Sequence, residues 1–217
     1  HGGGGPGAGA VVVGKKLCEF LPEPVVYVVE EGDDKTPPLY GFINPLYSIG
    51  RVKSFHGHFG IMVRALTYIL MSGAEGLRQV AEYAVLNANY LMTLLKNAYT
   101  LPYNRTCMHE FVLEGVWDDL PKIHALDISK RLMDYGFHPP TNYFPLIVKE
   151  ALMIEPTETE NKQTLDKFAE AMLAIAKEAK ENPDLLHNAP HNTPVSRLDE
   201  VKAARDLILC CQINYTK

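Results

Sequence analysis

An α+β fold is predicted, on three observations. An alanine- and leucine-rich stretch from residue 74 to about 98 keeps helical spacing, a second clean helical stripe follows Asn161, and several short apolar or β-branched runs read as strands. Strands and helices in this order suggest a small sheet covered by helices on one face.

The chain opens His1-Gly-Gly-Gly-Gly-Pro-Gly-Ala-Gly. Four consecutive glycines hold a helix or strand only at a large entropy cost, so composition alone reads a flexible linker there. Val11 to Phe20 turns apolar, and a short helix is expected from Gly14, ending before Pro22. Val25 to Val29 is a β-branched run and is expected as a strand. Residues 30–54, rich in Gly, Pro and charge, are expected to form a long surface loop. Phe59, Met62, Val63, Leu66, Ile69 and Leu70 follow helical spacing. Gly73 breaks that pattern, and a second helix with Leu77, Val80, Ala84, Ala88, Leu91 and Leu95 on one stripe runs to about Ala98. Such a helix packs against a large partner surface.

After residue 100 the elements shorten. Cys107 to Leu113 is expected as a strand, and Asp127 to Tyr135 as a helix with Gly136 at the left-handed cap. Pro145–Val148 and Ala151–Ile154 are further strand candidates. Asn161 is placed to cap a helix carrying Leu165, Phe168, Met172, Ile175 and Ala179, ended by Asn182-Pro183. Leu198 to Leu207 is the last helix expected.

A net charge of −5 with no basic stripe argues against nucleic acid and against an anionic membrane as partners. No apolar run approaches the roughly 18 residues of a membrane span. No signal peptide opens the chain. Cys18, Cys107, Cys210 and Cys211 show no CxxC spacing, so reduced thiols and a cytoplasmic location are expected rather than zinc or disulfides.

Local motifs do not name a reaction. Gly9 to Lys15 matches GxxxxGK, but Lys16 stands where Ser or Thr must reach magnesium. His56-Gly-His58 offers two metal ligands that face opposite sides on an extended backbone, and a polar turn before the helix explains them as well. Cys107 and His109 alternate in the same way and do not form a nucleophile–base pair unaided; Cys107 is expected as a small buried residue, His109 as a hydrogen-bonded core or site histidine. The acidic run Glu155 to Glu160 fits compensation of a helix dipole.

Longer segments are more specific. His1-Gly-Gly-Gly-Gly-Pro-Gly, Val85-Leu-Asn-Ala-Asn-Tyr90-Leu-Met, Met108-His-Glu-Phe-Val-Leu113, Asp134-Tyr-Gly-Phe-His-Pro-Pro-Thr141 and Leu152-Met-Ile-Glu-Pro-Thr-Glu-Thr-Glu160 occur in one order across almost the whole chain. Together they resemble glycine decarboxylase, the P-protein of the glycine cleavage system. Ser54-Phe-His-Gly-His-Phe-Gly60 and Pro194-Val-Ser-Arg-Leu-Asp-Glu200 are similar to its prokaryotic split form, subunit 2.

The resemblance implies the C-terminal small domain and the end of the large domain of a fold-type-I transferase dependent on pyridoxal phosphate (PLP). Residues 1–54 would be the glycine-rich loop and the end of the large cofactor domain, 55–98 connecting helices, and 99–217 the small domain, with a tail from about residue 206 that departs from the family. The implied reaction is decarboxylation of glycine, with transfer of the aminomethyl group to the lipoyl arm of H-protein. The implied partners are glycine cleavage subunit 1 and lipoylated H-protein, in a homo- or hetero-oligomer. The Schiff-base lysine of the family would lie just before His1; Lys15 and Lys16 do not match its context, so the chain alone is not expected to catalyse. His1, Gly2, Gly3, Gly4 and Gly5 would lie near substrate and cofactor, His56 and His58 would line the entrance, and Arg64, His109 and His138 are further candidates. The alternatives are a noncatalytic scaffold that binds subunit 1 or H-protein, and another fold-type-I PLP enzyme.

Overall fold

The computed structural model describes residues 7–54, 56–120 and 122–207. The expected site residues His1 to Gly5, together with Cys210, Cys211 and the tail from residue 208, lie outside the described residues. The chain divides into two compact units, His1–Gly73 and Ala74–Lys217.

In the first unit the helix expected from Gly14 is a 3-10 helix, Lys15–Phe20. Bonds three residues apart, Leu17 N to Gly14 O and Leu21 N to Cys18 O, define it, and Pro22 has no N–H with which to continue it. The expected strand is β1, Val25–Glu30. The stretch expected as one long loop contains a second strand, β2, Leu39–Ile43, paired antiparallel with β1 so that Val26 faces Phe42 and Val28 faces Tyr40. What turns the chain back is Asp33, whose carboxylate accepts the N–H groups of Lys35 at 2.8 Å and Thr36 at 2.7 Å. Glycine, proline and charge belong to that turn, and averaging over it hid the strand behind it.

Helix α1, Phe59–Leu95, begins in the first unit and ends in the second. Gly73 interrupts it with φ 62° and ψ −177°, a conformation essentially reserved for glycine, as the break in spacing predicts.

The second unit contains β3 (Phe111–Glu114), α2 (Ala125–Asp134), β4 (Thr141–Asn142), β5 (Ala151–Ile154), α3 (Lys162–Glu181), α4 (Asp184–His187) and α5 (Glu200–Arg205). The strands form an antiparallel sheet in the order β3-β5-β4. Phe111 opposite Ile154 and Leu113 opposite Leu152 share one sheet face. That face joins Leu91 and Leu95 of α1, Ile128 and Leu132 of α2, and Met172 and Ile175 of α3 in a single buried core. The helices therefore cover one face, as the order of elements predicts.

The helix caps fall where their residue types require. Asn161 accepts Thr164 N–H at 2.9 Å ahead of α3, and Gly136, at φ 82°, closes α2. Helix α2 starts earlier than expected, at Ala125, because Asp127 accepts the N–H of His124 and fixes the first turn. Helix α1 stops at Leu95 rather than near Ala98, where the amides of Ala98 and Tyr99 both return to Leu95 O. Strand β3 starts at Phe111 rather than Cys107, since the backbone N–H of Cys107 is taken by Asn89 of α1 instead of a strand partner. The stretch Pro145–Val148 is a turn and not a strand: Val148 N donates to Pro145 O, and Tyr143 and Glu150 carry positive φ at its two ends. The short elements β4 and α4 have no periodic signal.

Candidate functional site

The sequence-predicted residues do not converge on one constellation. In the first unit, His56 stacks on Phe42 of β2, ring centroids 4.9 Å apart and nearly parallel. His58 offers its carbonyl to the amides of Ile61 at 3.0 Å and Met62 at 3.1 Å, and so opens α1. The segment thus has the polar turn expected before a helix, with one of its histidines held flat against a strand. Arg64 is exposed on α1 and makes no ion pair among the described residues.

In the second unit, the antiparallel pairing of β3 with β5 brings the residues before Phe111 beside those after Ile154. His109 and Glu155 meet there, 3.9 Å apart and both about half exposed, so His109 is a surface residue rather than a core one. Cys107 next to them is partly buried, and burial pushes its thiol pKa up, away from nucleophilic use. His138 is exposed beyond the end of α2.

Two asparagines of α1 hold this end of the sheet. Asn89 accepts the N–H of Cys107 at 3.0 Å and donates to Cys107 O and to Val85 O, both at 2.8 Å. Asn87 donates to Thr157 O at 2.9 Å and Glu160 O at 3.2 Å. One turn on, the Tyr90 hydroxyl bonds Asp166, which also pairs with Lys162. The Val85-Leu-Asn-Ala-Asn-Tyr90 segment is therefore a clasp on the 105–110 and 155–160 loops. Its alternating asparagines in the otherwise apolar stretch Ala84 to Met92 were the signal for it.

A second clasp fixes the C-terminal segment. Asp134 accepts the amides of His191 at 2.6 Å and Asn192 at 2.7 Å. Arg131 bonds Asp134 and grips Glu178 with two nitrogens, each at 2.9 Å. Arg197 reaches buried Asp127 at 2.8 Å and the carbonyls of Ala189 and Leu186. Burial pushes the Asp134 carboxyl up, but its bonds to Asn192, His191 and Arg131 outweigh that and hold its pKa below the usual range. The Arg131 bond does the same for Glu178.

A cavity of about 630 Å³ is lined by Lys96, Thr100, Asn104, Trp117 and Lys180, among others. Both lysines stand at helix C-termini, whose partial negative charge they offset and which disfavour a phosphate. The Trp117 indole is already bonded to Ala98 O, and no buried side-chain nitrogen or oxygen among the described residues lacks a partner. These residues do not by themselves fit PLP. No group of three or more His, Cys, Asp or Glu among the described residues is placed to hold a metal. No described helix is long and apolar enough to cross a membrane.

Comparison with known proteins identifies the surroundings these clasps belong to. Residues 80–193 match the family model described as glycine dehydrogenase, C-terminal domain. A protein of Caldanaerobacter subterraneus named probable glycine dehydrogenase (decarboxylating) subunit 2 is 59% identical over 209 residues, 96% of this chain and 42% of its own length. A protein of the same name from Chlorobaculum tepidum is 57% identical over 98% of this chain and 43% of its own length. The chain thus spans about two fifths of the length of the curated relatives it matches. A crystal structure of glycine decarboxylase (P-protein) of the glycine cleavage system, in inhibitor-bound form, superposes with a TM-score of 0.55 at 21% identity, over 74% of this chain and 37% of that one. At that identity it shows the fold, a mixed α and β arrangement of the PLP fold-type-I kind.

Proposed function

The chain belongs to the glycine dehydrogenase (decarboxylating) family, and from that premise we propose that it acts as the C-terminal part of a subunit 2 in the oxidative decarboxylation of glycine. The observation that carries this is the identity maintained over nearly the whole chain with proteins of that name. In the proposed reaction glycine loses its carboxylate as CO2, and the aminomethyl group passes to the lipoyl arm of an H-protein, whose disulfide is reduced. PLP is the cofactor proposed for the assembled protein. The described residues do not form its site, so its lysine is assigned to polypeptide that this sequence does not include. Subunit 1 and H-protein are the proposed partners, and the cytoplasm the proposed location.

This chain's own contribution, as proposed, is to hold surfaces in place. The asparagine clasp presents His109 and Glu155 at one end of the sheet, and His56 and His58 present the entrance to α1. Arg64 and His138 are exposed and within reach of a partner.

The test is exchange of labelled bicarbonate into the glycine carboxyl. Subunit 1, H-protein, PLP and the rest of a subunit 2 polypeptide are mixed with and without this chain. Exchange that requires the chain and is specific to glycine is expected. Exchange of equal rate without it would leave the chain a dispensable scaffold, and turnover of other amino donors in place of glycine would favour a different PLP enzyme. Borohydride treatment of the isolated chain is expected to fix no cofactor on residues 1–217.

A further inference from the structure

Among its described residues the first unit carries many apolar side chains, and none of them is fully buried. From Gly7 to Asn87, no described residue is buried. Within the first unit, apolar side chains form organised surfaces. Val26, Val28, Tyr40 and Phe42 share one face of the hairpin through their cross-strand pairing, and Phe42 is 61% exposed. Tyr27, Val29 and Ile43 are exposed on the other face. Met62, Leu66 and Ile69 make a helical stripe along the first arm of α1, with Leu66 55% exposed.

A two-stranded hairpin is at best marginally stable in water, and an isolated one has no use for apolar residues on both faces. Strands apolar on both faces belong inside a layered sheet with cover on each side. Exposed surfaces of this extent mark an interface. More than half the length of the relatives that match 96–98% of this chain lies outside the match. Polypeptide joined to the same chain is present at a far higher effective concentration than any separate partner.

We infer that both faces of the β1–β2 hairpin and the Met62–Leu66–Ile69 stripe are the seat of the additional polypeptide carried by those longer relatives, which completes one hydrophobic core with the first unit. The occupant is an apolar, layered complement, covering the hairpin above and below. Since His56 lies flat on Phe42, the occupant's surface also passes beside that histidine. The inference rests on the family assignment but not on the activity proposed above.

Its test is capture in trans, which needs neither glycine nor PLP. The part of the Caldanaerobacter relative that this chain does not match is supplied as a separate polypeptide to the 217-residue chain. Alone, the chain is expected to bind a dye for apolar surface. The complement is expected to bind it and abolish the dye signal. The double variant Val28→Glu/Leu66→Glu is expected to lose about tenfold or more in affinity, because each new carboxylate would be buried unpaired. Leu146→Glu/Ile147→Glu, on the exposed turn of the second unit, is expected to change it less than about twofold. Trp117, the single tryptophan, lies in the second unit and reports whether that unit is folded in every variant. Three results would overturn the inference. One is capture unaffected by Val28→Glu/Leu66→Glu. Another is a monomeric chain that binds no dye, which would mean that its own second unit covers the surface. The third is dye signal lost through self-association, with no gain from the complement, which would make the occupant a second copy.

Discussion

Asn89 commits both ends of its amide to the backbone, one accepting and one donating across to Cys107. Replacing it by alanine leaves the Cys107 N–H without its partner in a partly buried loop. A loss of about 1–3 kcal/mol is expected, read by urea unfolding followed through Trp117 fluorescence. His109→Ala, by contrast, removes a half-exposed group 3.9 Å from a half-exposed carboxylate and is expected to change stability by less than about 0.5 kcal/mol in the same measurement. The Arg131 cluster makes a prediction about acid. Asp134 and Glu178 both have folded pKa values held below their ordinary ones, so each stabilises the fold above its unfolded pKa and ceases to as the pH falls through the folded value. The thermal midpoint is expected to be flat above about pH 5 and to fall below about pH 4. Arg131→Ala is expected to cost about 2 kcal/mol at neutral pH and to make the acid decline shallower, both visible in a pH series of melting curves.

Packing sets the predictions at the level of elements. Leu152 of β5 is completely buried between the sheet and its helices, so Leu152→Ala is expected to cost about 2–5 kcal/mol by denaturant unfolding. Gly115 follows β3 where a Cβ would stand 2.8 Å from Glu150 O and 2.9 Å from the Cα of Ala125. Both neighbours are backbone and cannot rotate away, so Gly115→Ala is expected to cost about 1–3 kcal/mol as well, although it adds only a methyl group. Gly73 is the opposite case. Nothing lies within 4 Å of its hypothetical Cβ, but its φ of 62° is hostile to any side chain. Gly73→Ala is expected to push that residue toward helical angles, raising the far-UV helical signal while the unfolding midpoint reported by Trp117 stays in place.

At the scale of the whole molecule the two units differ in kind. The second has one contiguous core assembled from α1, β3, β5, α2 and α3, and is expected to unfold cooperatively. The first has no buried residue among those described. In the isolated chain the amides of β1 and β2 are expected to exchange with solvent close to the rate of an unstructured peptide, while those of β3 and β5 are protected by several orders of magnitude, as measured by hydrogen–deuterium exchange. Protection of the hairpin equal to that of the sheet, in the chain alone, would contradict this.

Much of this was legible in the sequence. Spacing gave both arms of α1 and the length of α3, because 3.6-residue periodicity survives over many turns. Gly73, Gly136 and Asn161 announced their positions because a left-handed backbone or an unpaired helix amide admits few residue types. The family could be recognised from whole segments, including the asparagine pair whose purpose only the fold explains. What the tertiary structure alone decided is where backbone polar groups go in the short pieces. Cys107 bonds to a helix side chain and not to a strand, Pro145–Val148 folds into a turn, and a strand follows a glycine- and charge-rich turn at Leu39. Elements of four or five residues carry too few periods to declare themselves, and their partners lie dozens of residues away. The same reason keeps the site out of the local sequence. Histidines at 56, 58, 109 and 138 look alike as letters, and only pairing and stacking made one a ring against a strand, one a helix opener, and two surface groups.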